Sequence, residues 1–181
     1  QSFMAQLNPQ LTSEDANERF RATLLVSEIL RMQPNISMTP ATLHLIILCF
    51  CQKLSDSACI IPALDALSTL IVHHGQELGS KYSDASDILE RLLKDVQVQA
   101  MIQVIRQRAL ALTCSLLEHM SKSSTFDKAF YGNVQVLEDL IALGDGEKDP
   151  RCLLLYLRLH KYVSHFSECM RESEALQRKV F

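Results

Sequence analysis

The apolar residues of this chain recur at spacings of three and four, the period of a helix with one buried face. After Ser13 they occur at positions i, i+3, i+4, i+7 and i+10: Ala22, Leu25, Val26, Ile29 and Met32. The charged residues Glu28 and Arg31 lie well off that face. Later stretches repeat the same period. No stretch alternates apolar and polar residues for long enough to form a convincing strand. The pattern therefore predicts an all-α protein.

Capping and helix-breaking residues set the predicted boundaries. Thr39-Pro40 supplies a cap and a proline at the first helical position, and Asp149-Pro150 does the same later in the chain. The helix opened by Thr39 also carries apolar residues off its main face (Leu45, Leu48 and Cys49), which predicts a helix buried nearly all round. The predicted helices begin near Ser13, Thr39, Asp56 or Ser57, Ser83 or Asp84, Ile102, residue 125, Asp149 and residue 167.

The predicted helices pair into hairpins that start roughly every 45 residues, which is close to the period of HEAT and armadillo repeats. The starts lie near Ser13, Ser57, Ala100 and Asp149. A hairpin cannot bury its apolar face alone, so neighbours stack. We therefore predict an α-solenoid of about four HEAT-like helical hairpins over residues 13–181. Residues 1–12 are predicted to be an N-terminal extension that could be disordered. The alternative is a globular bundle of helices without a repeat.

The triplet Asp149-Pro150-Arg151 stands at the start of a predicted hairpin. In HEAT repeats, Asp and Arg residues at such places form a ladder of caps and ion pairs between neighbouring repeats. Arg21 and Arg106 occupy similar places in their own helices. We therefore predict that Asp149, Arg151, Arg21 and Arg106 form a structural ladder, with Arg151 reaching back to the preceding repeat.

Composition narrows the function classes. The chain has 181 residues, 48% of them apolar, and a formal charge of −3, which argues against direct nucleic-acid binding through a large basic face. The longest apolar run, Leu45–Cys51, is too short to cross a bilayer. The first residues do not resemble a signal peptide, and a start at Gln1 rather than Met suggests a fragment of a longer chain.

The six cysteines are expected to be reduced, mostly buried thiols rather than disulfides. Cys49 and Cys51 could be considered metal ligands together with Cys59 and His73-His74. Helix positions i and i+2 point about 200° apart, however, so the two thiols could not hold one ion. No glycine-rich phosphate loop occurs either. We predict no catalytic, cofactor or metal site, and hence no enzyme.

The turn from Gly144 to Lys148 has two interpretations. It could be a solvated turn between repeats, or a loop that contacts a partner, since loops along one edge of a solenoid often carry recognition. On the second interpretation the partner-binding residues are Asp145, Glu147 and Lys148, with Glu147 and Lys148 exposed to solvent.

Several segments resemble one known family. The most specific is Gly144–Arg151 followed by Leu153-Leu154. It is similar to the N-terminal region of the HEAT-repeat scaffold of the cytosolic iron–sulfur assembly (CIA) targeting complex, named as a nucleotide-excision-repair and methyl-methanesulfonate-sensitivity factor. The similarity covers about residues 15–166, and residues 1–12 match nothing in it. Further segments are similar in order and spacing: Leu43–Ile46, Lys53-Leu54, Ile60–Pro62 and Val96–Gln99.

The resemblance implies a non-catalytic adaptor without a cluster of its own. Its partners would be CIA targeting components and apo iron–sulfur proteins of DNA repair, replication and transcription: helicases, polymerases or primase, and the helicase subunit of TFIIH. It implies work in cytoplasm and nucleus, with no membrane partner. The alternative is an unrelated helical-repeat module, such as a nuclear-transport or tubulin-binding array. The chain lacks Trp and its turns are mixed or acidic, which disfavours the tubulin-binding array.

Overall fold

The computed structural model describes residues 3–75, 84–121 and 134–164, and every regular element in these ranges is helical. The all-α prediction is confirmed. The chain divides into two compact units, Gln1–Val96 and Gln97–Phe181. The helices are α1 (Phe3–Leu11), α2 (Ala16–Met32), α3 (Pro40–Lys53), α4 (Ile60–His74), α5 (Asp84–Asp95), α6 (Gln103–Met120), α7 (Val134–Ala142) and α8 (150–164), with a short 3₁₀ turn at Val98–Ala100.

In the first unit, successive helical hairpins stack helix on helix. The first helix of one hairpin, α2, packs along the first helix of the next, α4, and the second helices α3 and α5 pack together in the same way. Helix α3 also packs on α4. This two-layer arrangement is that of a HEAT-like helical repeat, in which each hairpin buries its apolar face against its neighbour.

The local sequence explains where α2 and α3 begin. Asp15, not the predicted Ser13, caps α2, and its carboxylate accepts a hydrogen bond from the Asn17 N–H at 2.9 Å. The Ser13 hydroxyl donates instead to Glu18 at 2.6 Å. Thr39 caps α3 as predicted, accepting from the Thr42 N–H at 3.2 Å.

Residues Phe3–Leu11, within the segment predicted as an N-terminal extension, form a helix. Helix α1 packs on α2, and Leu11 at its end is buried. The Lys53 ammonium donates a hydrogen bond to the Leu11 carbonyl, which ties the end of α1 to the end of α3. Residues 3–11 therefore belong to the folded unit.

Helix α3 is not buried all round, contrary to the sequence prediction. Leu43, Ile47 and Phe50 form its buried face, but Leu45 is 65% exposed and Leu48 is 38% exposed. Packing of α3 on α4 and α5 therefore covers only part of its circumference.

In the second unit, α6 and α8 contact each other directly. The Cys114 thiol of α6 lies 3.2 Å from the Leu155 carbonyl of α8, and the buried residues of α8 recur at helical spacing: Cys152, Leu159 and Val163. The predicted helix over about 125–143 is described only as Val134–Ala142, and the one predicted over 167–181 lies outside the described residues. None of the described helices is long and apolar enough to cross a membrane.

Candidate functional site

A bidentate ion pair joins α6 to the turn that precedes α8. Arg106 Nε donates to Glu147 Oε2 at 2.7 Å, and Arg106 Nη2 donates to Glu147 Oε1 at 3.1 Å. The third donor, Nη1, reaches the Met101 carbonyl at 2.8 Å. Only 4% of the Glu147 side chain is exposed. The guanidinium therefore links two segments 41 residues apart through charge-assisted hydrogen bonds.

Glu147 also organises the turn that carries it. Its Oε1 accepts the backbone N–H groups of Lys148 and Asp149, each at 2.9 Å. The bonds from Arg106, followed by those backbone donors, stabilise the carboxylate and lower the pKa of Glu147 to about 2. Asp149 then caps α8, accepting from the Arg151 N–H at 2.9 Å.

The first unit repeats this contact. Arg19 Nε donates to Asp56 Oδ2 at 2.6 Å, and Nη1 of the same guanidinium donates to the carbonyls of Ser13 and Glu14. Asp56 Oδ1 accepts the Ala58 N–H, just as Glu147 accepts the N–H groups of its own turn. The pair ties the start of α2 to the turn before α4, and it lowers the pKa of Asp56 through the bond from Arg19.

The two arginines occupy equivalent places in their repeats. Arg19 is the fourth residue of α2, and Arg106 is the fourth residue of α6. Each acidic partner stands in the turn just before the first helix of the following hairpin, α4 or α8. The structure therefore contains a repeated inter-hairpin contact, although its members differ in part from the predicted ones.

The predicted ladder roles of Arg21 and Arg151 are wrong. Arg21 is exposed and lies two residues beyond Arg19, so it points away from the turn that Arg19 contacts. Arg151 is 66% exposed and pairs at 3.4 Å with Asp149 in its own turn, so it does not reach the preceding repeat. The carboxylate that links the repeats is that of Glu147, and Arg106 already binds it.

The predicted partner-binding residues have different surroundings. Asp145 and Lys148 are exposed, whereas the Glu147 side chain is buried against Arg106, which corrects the expectation that it faces solvent. The exposed pair lies on the rim of a cleft of about 260 Å³, lined by Gln99, Arg106, Leu143, Asp145, Gly146, Glu147 and Lys148. A partner-binding role for Asp145 and Lys148 stays a prediction.

Close packing and backbone conformation favour glycine at two places in this turn. A Cβ atom on Gly144 would lie 2.4 Å from Cζ of the Tyr156 ring, and the Tyr156 hydroxyl donates to the Ile141 carbonyl at 2.9 Å. Gly146 has a φ of 71°, in the left-handed region that other residues rarely adopt. The shape of the turn from Gly144 to Lys148 is therefore set by its two glycines and by packing against α8.

The described cysteines are all free thiols. Burial raises the pKa of Cys51 to about 12 and that of Cys114 to about 11, so both are held as neutral, weakly reactive thiols. Over the ranges 3–75, 84–121 and 134–164, no group of three or more His, Cys, Asp or Glu residues is placed to hold a metal ion.

Comparison with known proteins assigns this chain to a family. The family described as Dos2-interacting transcription regulator of RNA-Pol-II, the N-terminal part of MMS19 proteins, matches residues 4–179. The chain belongs to this family. The predicted resemblance is therefore confirmed. The match begins at residue 4, within α1, so it includes most of the segment 1–12 that the sequence analysis leaves unmatched. MMS19 membership replaces the alternative of an unrelated nuclear-transport or tubulin-binding array.

Individual relatives agree with the family match. The "MMS19 nucleotide excision repair protein homolog" of Dictyostelium discoideum is 27% identical over 184 residues, covering 95% of this chain and 15% of the relative. The human protein of the same description is 29% identical over 163 residues, covering 87% of this chain and 15% of the relative. The chain thus spans only a small part of the length of these relatives. No solved structure matches it.

Proposed function

We propose that the chain is part of a non-catalytic adaptor that helps deliver iron–sulfur clusters to apo-proteins of DNA repair, replication and transcription. The supporting observation is the family match over residues 4–179, in a family whose members are described by nucleotide excision repair and by regulation of RNA polymerase II. The family resemblance implies delivery of clusters to apo-proteins of repair and transcription, and one delivery role would account for both descriptions.

The helical hairpins supply what an adaptor needs, a surface held in fixed geometry. The Arg19–Asp56 and Arg106–Glu147 pairs each fix one hairpin against the next through charged hydrogen bonds. Side chains between these contacts are thereby presented without a large ordering cost when a partner binds. The proposed partners are CIA targeting components, apo iron–sulfur helicases, polymerases or primase, and TFIIH, in cytoplasm and nucleus.

The exposed polar residues Asp145 and Lys148 are the candidate contact with a client. Glu147 between them holds the turn in place through its hydrogen bonds to Arg106 and to the backbone. A short array offers a limited surface, and interfaces below about 1,200 Å² are usually weak and transient. We therefore expect the chain alone to bind a client with a Kd in about the micromolar range. Tight binding would need further contacts along a longer array, which raise the effective concentration of each weak one.

The test is a titration of the purified chain with the apo form of an iron–sulfur DNA helicase, followed by fluorescence anisotropy. The charge swap Asp145→Lys/Lys148→Glu should weaken binding. The matched control is Glu28→Lys/Arg31→Glu, which inverts an exposed pair on α2 and should leave binding unchanged. If both swaps weaken binding equally, Asp145 and Lys148 are not the contact site. If the chain shows no saturable binding, it has no client role.

A further inference from the structure

An open groove runs between α3 and α5 on the solvent side of the first unit. It has a volume of about 450 Å³ and is lined by Leu48, Cys51, Asp87, Glu90, Arg91 and Lys94. His44 of α3 contacts Asp84 at the start of α5, so Leu48, one turn further along α3, faces the middle of α5.

The α3 side of this groove is apolar and exposed. Leu48 lines the groove directly, and Leu45 lies one turn earlier on the same solvent-facing side. Leu45 keeps 65% of its surface exposed, although it stands in a helix whose opposite face is fully buried. Two exposed leucines a helical turn apart match the anchor spacing by which one amphipathic helix binds another.

The α5 side is charged, with opposite signs at its two ends. Asp87 and Glu90 lie toward the N-terminal end of α5, and Arg91 and Lys94 follow toward its C-terminal end, so the wall changes from negative to positive over about 10 Å. Glu90 pairs with Lys94, and both side chains are exposed. Arg91 is also exposed, whereas its partner Asp95 is only 27% exposed. Exposed pairs of this kind contribute little stability, so their charges can turn to a partner at small cost.

We propose that the α3–α5 groove binds an amphipathic helix of another protein, acidic in its first turn, basic in its last turn and aliphatic along one face. Lying antiparallel to α5, such a helix places its acidic turn beside Arg91 and Lys94 and its basic turn beside Asp87 and Glu90. Its aliphatic face covers Leu45 and Leu48. Acidic N-termini and basic C-termini also suit the helix dipole, which favours the helical form of a segment with this charge order.

This inference deepens the proposed adaptor function by naming a partner chemistry, and it rests on that function only in taking the partner to be a protein. Its test contains no iron–sulfur protein. Failure of the groove and failure of the delivery role are therefore distinguishable.

The probe is a fluorescently labelled synthetic helix with glutamates in its first turn, leucines along one face and lysines in its last turn. A second peptide of identical composition has the glutamates and lysines exchanged. Anisotropy titrations against the full chain should show tighter binding of the first peptide. The Glu90→Lys/Lys94→Glu swap keeps the ion pair and the net charge but removes the charge order of the wall, because Asp87 and Arg91 stay in place. The preference for the first peptide should then be lost.

Leu45→Glu should weaken binding of the first peptide at least about tenfold, as expected for loss of a central apolar anchor. The matched control is Val72→Glu on α4, since Val72 is 67% exposed and lies outside the groove lining. Circular dichroism checks that each variant folds, and Leu45→Gln replaces Leu45→Glu if the charged variant does not.

Three results would overturn the proposal. The first is no saturable binding of either peptide up to about 1 mM, a limit beyond which a docking site has little meaning. The second is equal loss of binding in the Leu45 and Val72 variants. The third is concentration-dependent self-association of the chain that Leu45→Glu abolishes, because the groove would then be covered by a second copy.

Discussion

Arg106 and Glu147 stand 41 residues apart and form a two-bond ion pair, and Arg19 and Asp56, 37 residues apart, form its counterpart in the other unit. In both cases the arginine also binds backbone carbonyls just before its own helix. One side chain thus ties the start of its hairpin to the turn that opens the next. The contact defines the repeat more sharply than the apolar pattern does.

Arg106→Ala should destabilise the chain by about 1.5–3 kcal/mol, because Glu147 then loses the charged partner of a nearly buried carboxylate. Lys148→Ala and Arg151→Ala should each stay within about 0.5 kcal/mol, since both side chains are exposed. Denaturant unfolding of the three variants measures the difference. Equal midpoints for wild type and Arg106→Ala would show that the pair contributes nothing to stability.

In the first unit, Arg19→Ala should be destabilising and Arg21→Ala nearly neutral. Arg19 makes hydrogen bonds to Asp56, Ser13 and Glu14, and losing bonds from a charged donor costs on the order of 1.5–3 kcal/mol. Arg21 is exposed on α2. The two variants remove the same charge from the same helix. A difference between their melting temperatures therefore reports the contacts made at each position. A larger loss for Arg21→Ala would contradict the observed contact.

The stability of the chain should depend on pH through Glu147. Its pKa of about 2 in the folded state lies below its ordinary value of 4.5, so the carboxylate contributes stability that is fully present above pH 4.5 and is lost as the pH falls toward 2. Glu147→Gln should therefore be less stable than wild type at neutral pH, and the difference should shrink between pH 4.5 and pH 2. A difference that stays constant over this range would argue against the ionised pair.

Gly144→Ala should destabilise the chain by about 1–3 kcal/mol, because the new methyl group overlaps the Tyr156 ring. The control is the same substitution in a Tyr156→Ala background, where the ring is absent and the added cost should largely disappear. A double-mutant cycle from urea unfolding gives the coupling energy. If the two substitutions are additive, the close approach of ring and turn does not constrain the fold.

Helix positions were predictable because caps and apolar period act locally. Thr39 and Asp149 cap their helices as the sequence predicts. Ser13 was a plausible cap for α2, yet Asp15 is the one used, since several polar residues in a row each offer an oxygen and only tertiary packing selects among them. The sequence does not predict the exposed face of α3. Apolar residues show which sides of a helix could be buried, but not whether another helix packs on each side.

The inter-hairpin contact was only half predictable. An arginine near a helix start is visible in the sequence, and Arg106 was chosen on that ground. The position of its partner Glu147 in a polar turn predicts exposure to solvent, whereas the side chain is buried against Arg106. The sequence does not show that Arg19, and not Arg21, makes the contact, because this depends on where α2 begins. With its start at Ala16, the fourth residue, Arg19, faces the turn before α4. An arginine followed some 40 residues later by an acidic turn residue could have been found as a repeat signal.

The most direct test of the proposed adaptor role uses the Dictyostelium relative in its own cells. The region matched by this chain is deleted, and radiolabelled iron in an immunoprecipitated iron–sulfur DNA helicase is compared with iron in the same helicase from unaltered cells, at equal levels of the relative. We predict that the helicase carries less iron after the deletion, while an iron protein without a cluster is unchanged. Full loading of the helicase in the absence of this region would contradict the proposal.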